Sequence, residues 1–216
     1  MNSRQFALEL LAPRAPSLGN FVAGPNGAAL EALRSARDAA AGAAQFLHLW
    51  GPPGSGRSHL LQALCPGQEG VPAFEPGRRL YCADDVHLLD AGAQARLFAL
   101  QNEIRAHEGT VLVTAADAPP AALALREDVR SRLGWGLVFH LRPIPEEDEA
   151  RALLEHARSR GARVDEELVP WMLTRLPRDM RTLVSVIEAL DAYALERRRA
   201  LTVPLLREWL QQGHVE

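Results

Sequence analysis

Phe46-Leu47-His48-Leu49-Trp50-Gly51-Pro52-Pro53-Gly54-Ser55-Gly56-Arg57-Ser58-His59-Leu60-Leu61 decides the fold. A compact apolar run stops at a Gly/Pro cluster, and a helical pattern resumes at Ser58, so strand, tight loop and helix is the simplest reading. Gly51, Gly56 and Ser58 fall at the spacing of G-x-x-x-x-G-[K]-[ST], with Gly54 and Ser55 inside the loop. Glycines at those points let backbone N–H groups curl around phosphate oxygens, and the helix N-terminus adds partial positive charge. Ser58 supplies a hydroxyl suited to Mg2+. Arg57 stands where lysine is usual, and its forked guanidinium neutralises phosphate without reproducing lysine's point-charge contact. Slow hydrolysis is therefore expected. The bland alternative is a Gly/Pro turn opening a helix, and it is weakened by what lies downstream.

The run Leu80-Tyr81-Cys82-Ala83 ends in Asp84-Asp85. Two acids at one strand tip suit a site where one carboxylate, Asp84, orients Mg2+ and its neighbour, Asp85, polarises a water. Alone they would read equally well as a solvated turn. Beside a phosphate loop they point to ADP or ATP with Mg2+. A further run, Thr110 to Thr114, leads to Ala115-Ala116-Asp117, where Thr114 or Asp117 is a candidate sensor of the attacking water; the competing reading is a helix cap before Pro119-Pro120. With Leu137 to Leu141 as another strand, these runs alternate with helical patterns as a parallel sheet requires.

Asn26 to Ala44 is Ala-rich, with Leu30 and Leu33 at helical spacing, and reads as a first helix. From Pro145 the texture changes to helices alone. Stripes at Ala150/Leu153/Leu154/Ala157, at Leu168/Val169/Met172/Leu173/Leu176 and at Met180/Leu183/Val184/Ile187/Leu190 need one another for burial. Residues 145–212 thus read as a small helical bundle appended to an α/β sheet domain. Arg126, Arg130 and Arg132 crowd a helix end before the Leu137 strand, and Arg181 lies in a first helical turn, where the helix dipole disfavours a cation unless an anion is near.

The formal charge of the 216 residues is -3 and 47% are apolar, so the balance suggests neither disorder nor general nucleic-acid affinity. No apolar run approaches the roughly 20 residues of a membrane span, and the first residues lack a basic, apolar leader. A cytoplasmic protein is expected, with Cys65 and Cys82 as reduced thiols whose spacing makes no metal site.

Gly56-Arg57-Ser58-His59-Leu60-Leu61, Ser131-Arg132-Leu133-Gly134-Trp135-Gly136 and Asp179-Met180-Arg181-Thr182-Leu183 together resemble the DnaA-related AAA+ family, and within it the short Hda-type regulators. The resemblance covers nearly the whole chain. It implies a P-loop AAA+ parallel sheet flanked by helices with a small C-terminal helical lid, divided as 1–16 (a clamp-binding peptide), 17–143 (the nucleotide-binding α/β domain) and 144–216 (the lid). Arg132 looks like a trans-acting arginine finger and Arg181 like the lid sensor arginine. His59 falls within the loop motif, while Phe21, Val22 and Asn26 match the segment that lines the adenine pocket. Gln5, Leu8 and Leu10 resemble a peptide that plugs a groove of the DNA polymerase III sliding clamp, the beta subunit; the same residues also suit the start of an amphipathic helix.

Two departures stand out. Between Leu64 and Leu80 the chain holds Pro66, Gly67, Gly70, Pro72, Pro76 and Gly77, too little for the usual strand-helix unit, so one edge strand is expected to be missing or vestigial. Asp85 is an acid that Hda-type members often lack, which leaves some intrinsic hydrolysis open. The resemblance implies a regulator that restrains replication initiation: nucleotide-bound, clamp-tethered, homo-oligomeric, and presenting Arg132 to ATP held by DnaA. With no helix-turn-helix following residue 216, direct sequence-specific DNA binding is not expected. The alternatives are an AAA+ ATPase of helicase-loader type, driven by its own Asp84-Asp85 site, and a pure adaptor using nucleotide as filler.

Overall fold

The computed structural model describes residues 15–38, 45–177 and 179–212. They fall into two compact units, one spanning Pro16–Pro143 and the other beginning at Ile144.

In the first unit, four short strands form one parallel sheet: β1 (Phe46–Trp50), β2 (Leu80–Ala83), β3 (Val111–Ala116) and β4 (Leu137–His140). Their order is β2-β3-β1-β4. The register sets Leu47 beside Val113, Trp50 beside Ala116 and His140, and Ala83 beside Thr114. The apolar runs of β1, β2 and β3 suit strands covered on both faces, whereas β4 is largely exposed at the sheet edge. Residues 65–79 contain no strand, so the sheet ends at β2 on that side.

Side chains alternate across the sheet, and each face has its own helices. On one face Leu47, Leu49, Val113 and Ala115 pack with Leu30 and Leu33 of α1 (Gly27–Arg37), Leu60 and Leu61 of α2 (Arg57–Leu64), and Phe21. On the other, Tyr81, Leu112 and Ala116 pack with Leu97, Leu100 and Ile104 of α3 (Ala91–Ala106) and with Val129 and Leu133 of α4 (Glu127–Leu133). Full burial of each such Leu or Ile contributes about 1.5–3 kcal/mol. The first helix runs to Arg37, where Asp38 N–H donates to the Arg34 carbonyl. Residues 39–44 lie outside the described residues.

The second unit holds α5 (Glu146–Ser159), α6 (Leu168–Arg175), α7 (Met180–Arg197) and α8 (Val203–Gln212). Leu153, Leu168, Val169, Met172, Ile187, Leu190, Leu205 and Leu206 are buried in it. Four acids in the first turn of α5 complement its dipole. No helix among the described residues is long and apolar enough to cross a membrane.

Candidate functional site

β1 delivers the chain to Gly51, whose N–H donates to the Ala116 carbonyl at the end of β3. A Cβ at Gly51 would run into the Leu141 carbonyl, so only glycine lets the loop leave the sheet here. The chain turns through Ser55 N–H to the Pro52 carbonyl and enters α2 at Gly56, φ +92°, a left-handed cap that side chains rarely adopt. Phe21 closes over Gly56 so tightly that a Cβ there would strike its ring. The local sequence thus folds as a loop opening onto a helix N-terminus, with the first-turn amides unpaired within the helix.

Inside the loop, the Ser55 hydroxyl and Arg57 Nη1 are buried and have no hydrogen-bond partner among the described residues. Such orphaned groups cost roughly 1–3 kcal/mol or more each, and a phosphate ester offers the acceptors they lack. Arg57 itself is buried, and its Nη2 lies 3.7 Å from Asp85 Oδ1. Ser58 is exposed at the loop mouth. All 24 lysine-plus-arginine residues of this chain are arginines. Arg57 in a lysine position therefore follows a chain-wide preference as well as a local one.

The acidic tip follows β2. Asp84 accepts the Asp85 N–H at 2.8 Å, and Asp85 itself has φ 46°, a left-handed conformation that Asp tolerates better than most residues. His87, not singled out in the sequence, sits between Asp85 (4.0 Å) and Asp117 (3.6 Å). A lone histidine two residues past an acidic pair carries no spacing signal, so only the fold reveals it. Among the described residues no cluster of His, Cys, Asp and Glu side chains alone could hold a metal ion.

Thr114 is not at a strand tip. β3 continues to Ala116, because Ala115 and Ala116 are small enough to bury between the flanking strands, and this leaves Thr114 3% exposed within the sheet. Its Oγ1 donates to the Leu47 carbonyl and lies 2.8 Å from His48 Nδ1. The water-sensing alternative for Thr114 is corrected accordingly; Asp117, beside His87, keeps a place near the acidic tip. His48 is fully buried, and burial pulls its pKa down to about 4, against a hydrogen bond with the Ala118 backbone that raises it and with repulsion from Arg57 that lowers it further.

The adenine-pocket residues divide. Phe21 and Val22 are buried, and the Phe21 ring lies 5.7 Å from that of His59, whose Nε2 is 3.1 Å from the Ser17 carbonyl. Asn26 instead uses its amide on both backbone groups of Arg142, at 2.9 Å each, clamping the start of α1 to the chain leaving β4. Its side chain is spent on the fold.

The three arginines about α4 also divide. Arg126 pairs with Asp128 at 2.6 Å, and Arg130 pairs with Glu127. Arg132 has no carboxylate within 4.0 Å among the described residues. Its guanidinium lies 3.8 Å from the Phe98 ring centroid and 4.9 Å from that of Trp135, and Nη1 donates to Asn102 Oδ1 at 2.5 Å. Burial against these groups lowers its pKa; Asp128 opposes this and Arg105 adds to it. Phe98 and Asn102, on α3, were invisible in the sequence because only tertiary packing brings them to Arg132.

In the helical unit, Arg181 is exposed in the first turn of α7, and Asp179 caps that helix by accepting from Thr182 N–H and Thr182 Oγ1. The cap supplies an anion at this helix start, so the placement of Arg181 needs no phosphate to explain it. Gln5, Leu8 and Leu10 lie outside the described residues.

Residues 146–210 match the Hda lid-domain family. Among solved structures, the chain is similar to domain III of the replication initiation protein DnaA from Thermotoga maritima, at 21% identity and TM-score 0.56 over 93% of this chain and 97% of that one. It is also similar to AMPPCP-bound DnaA from Aquifex aeolicus, at 19% identity and TM-score 0.56 over 85% of this chain and 68% of that one. RuvB from Thermotoga maritima aligns at 15% identity and TM-score 0.50, over 94% of this chain and 72% of that one. At these identities all three likenesses concern the fold alone.

Proposed function

We propose, from the premise that this chain is an Hda/DnaA-related AAA+ protein, that it restrains chromosomal replication initiation by promoting ATP hydrolysis in DnaA through Arg132 acting in trans. The observation that carries the reading is the division among the α4 arginines. Arg126 and Arg130 are paired with carboxylates, whereas Arg132 is held by two aromatic rings and an amide, with no carboxylate within 4.0 Å among the described residues. A guanidinium pre-positioned by neutral groups costs little reorganisation when it meets developing phosphate charge.

The chain's own site takes ADP or ATP in a supporting role. The amides between residues 51 and 58, the Ser55 hydroxyl and Arg57 fit a di- or triphosphate, and Ser58 with Asp84 would hold Mg2+ beside it. The phosphates of a nucleotide there would supply the acceptors that Ser55 Oγ and Arg57 Nη1 lack, and Mg2+ would offset part of their charge. AMPPCP bound to the Aquifex DnaA supports a nucleotide ligand of this kind. Arg181 is assigned to the same ligand from the lid, and Gln5, Leu8 and Leu10 to the DNA-loaded sliding clamp. Arg57 lies against Asp85, so the second acid serves first as a counterion, consistent with weak intrinsic turnover.

The test combines purified protein, DNA-loaded clamp and ATP-loaded DnaA. Wild type accelerates hydrolysis, and Arg132→Ala removes most of the acceleration, on the order of 10³-fold or more for a trans-acting arginine. Full acceleration by Arg132→Ala would sink the proposal in favour of an adaptor. The helicase-loader reading is favoured by one observation, that both acids Asp84 and Asp85 are present beside the loop. Brisk ATP turnover by the protein alone, abolished by Asp85→Asn, would establish it instead.

A further inference from the structure

Trp135 carries more than one cation. Its ring lies 4.9 Å from the Arg132 guanidinium carbon and 5.1 Å from that of Arg105, which sits in the last turn of α3. The ring is 45% exposed, and Phe46 meets it edge-on from β1. Arg105 is exposed and, like Arg132, has no carboxylate partner within 4.0 Å among the described residues. Each contact with the indole is worth about 0.5–1 kcal/mol at an exposed site. The ring therefore attracts both cations without neutralising either, and the Arg105 charge works against that of Arg132, with Asp128 opposing it from beyond ion-pair distance. Leu137 and Val138, which follow Trp135 in the chain at the start of β4, are both exposed. A compact polyanion presented on another protein's surface satisfies this arrangement better than a bare solvent boundary does, and bidentate guanidinium contacts suit phosphate oxygens.

We propose that Arg105 is a second phosphate-facing cation of the Arg132 site, set beside it by the shared Trp135 ring, so that a partner's nucleoside triphosphate meets two guanidiniums. This rests on the trans-acting reading of Arg132. Asn102 and Phe98 fix one arginine and leave the other free to follow the phosphate chain, so the pair differs in rigidity.

The experiment measures clamp-dependent ATP hydrolysis by DnaA against DnaA concentration and salt, using full-length wild type, Arg105→Ala, Arg105→Lys and Arg132→Ala. Arg105→Ala should lower kcat/KM about tenfold or more, the range for a hydrogen bond to a charged group, and should flatten the salt dependence. Arg105→Lys should restore most of both, and thermal unfolding of the variants should match wild type. If Arg132→Ala is inactive while Arg105→Ala behaves as wild type, the second cation is wrong and the finger stands. A defect in Arg105→Ala that follows lost thermal stability and resists rescue by lysine also overturns it. Full activity in Arg132→Ala removes both readings together.

Discussion

The residues beneath the phosphate loop are tuned by exclusion from water. His48 lies in β1, fully buried, with Nδ1 engaged by Thr114. Its pKa falls from 6.5 to about 4, so it is neutral near pH 7. The folded value lies below the unfolded one, so between those limits the unfolded chain binds more protons. Stability is therefore present at neutral pH and is lost as pH falls through that window. At pH 4.5 the loss attributable to this side chain is about 2–3 kcal/mol. Urea unfolding at pH 7 and pH 4.5 should show wild type losing more stability than His48→Leu by about that amount. An equal loss in both proteins would mean that His48 takes up its proton as readily in the folded chain as in the unfolded one, so that its burial is relieved. The same enclosure keeps Arg57 on a short leash, with one nitrogen toward Asp85 and another unpaired.

At the scale of elements, the helices that carry the proposed finger depend on their ends. α3 begins at Asp90, whose carboxylate accepts the Ala93 N–H at 2.7 Å, and ends near Arg105, having presented Phe98 and Asn102 to Arg132. Asp90→Ala should cost about 1 kcal/mol, and Asp90→Asn should retain most of it, measured as the shift in urea midpoint at constant slope. A loss equal in both variants would show that the cap acts through charge at the helix dipole and not through the hydrogen bond. The strands Phe46–Trp50 and Leu80–Ala83 were legible residue by residue, because turn residues or acids bound each apolar run. The sheet's shortened side was legible too, since the Pro- and Gly-rich stretch after Cys65 has no room for a strand-helix unit. α1 was legible over Gly27–Arg37, and the rest of its alanine-rich stretch, 39–44, lies outside the described residues. β3 was underread at its end, where two alanines look like a turn approach until flanking strands bury them. What the sequence could not disclose was the company its motif residues keep: Arg132 with Phe98 and Asn102, and Asp85 with Arg57 and His87.

For the whole molecule, the decisive question is whether the loop in one unit and Arg181 in the other answer to the same ligand. A ligand that binds only the folded state stabilises it by RT ln(1 + [L]/Kd), about 2.7 kcal/mol at a hundredfold excess over Kd. For a domain of 150–250 residues, each kcal/mol raises Tm by roughly 2–4 °C. ADP or ATP with Mg2+ should therefore raise the Tm of this protein by several degrees. Arg57→Ala should abolish most of the shift, because it removes the buried cation against which the phosphates are held. Arg181→Ala leaves the Asp179 cap and the α7 core in place, so its Tm without nucleotide should match wild type. If α7 contributes a phosphate contact, nucleotide should then raise that variant's Tm by less than it raises the wild type's. An undiminished shift in Arg181→Ala would confine nucleotide binding to the unit of residues 16–143 and remove the lid arginine from the site. No shift in the wild type with either nucleotide would mean that the orphaned Ser55 and Arg57 groups serve some other anion, and the proposed platform for Arg132 would lose its ligand.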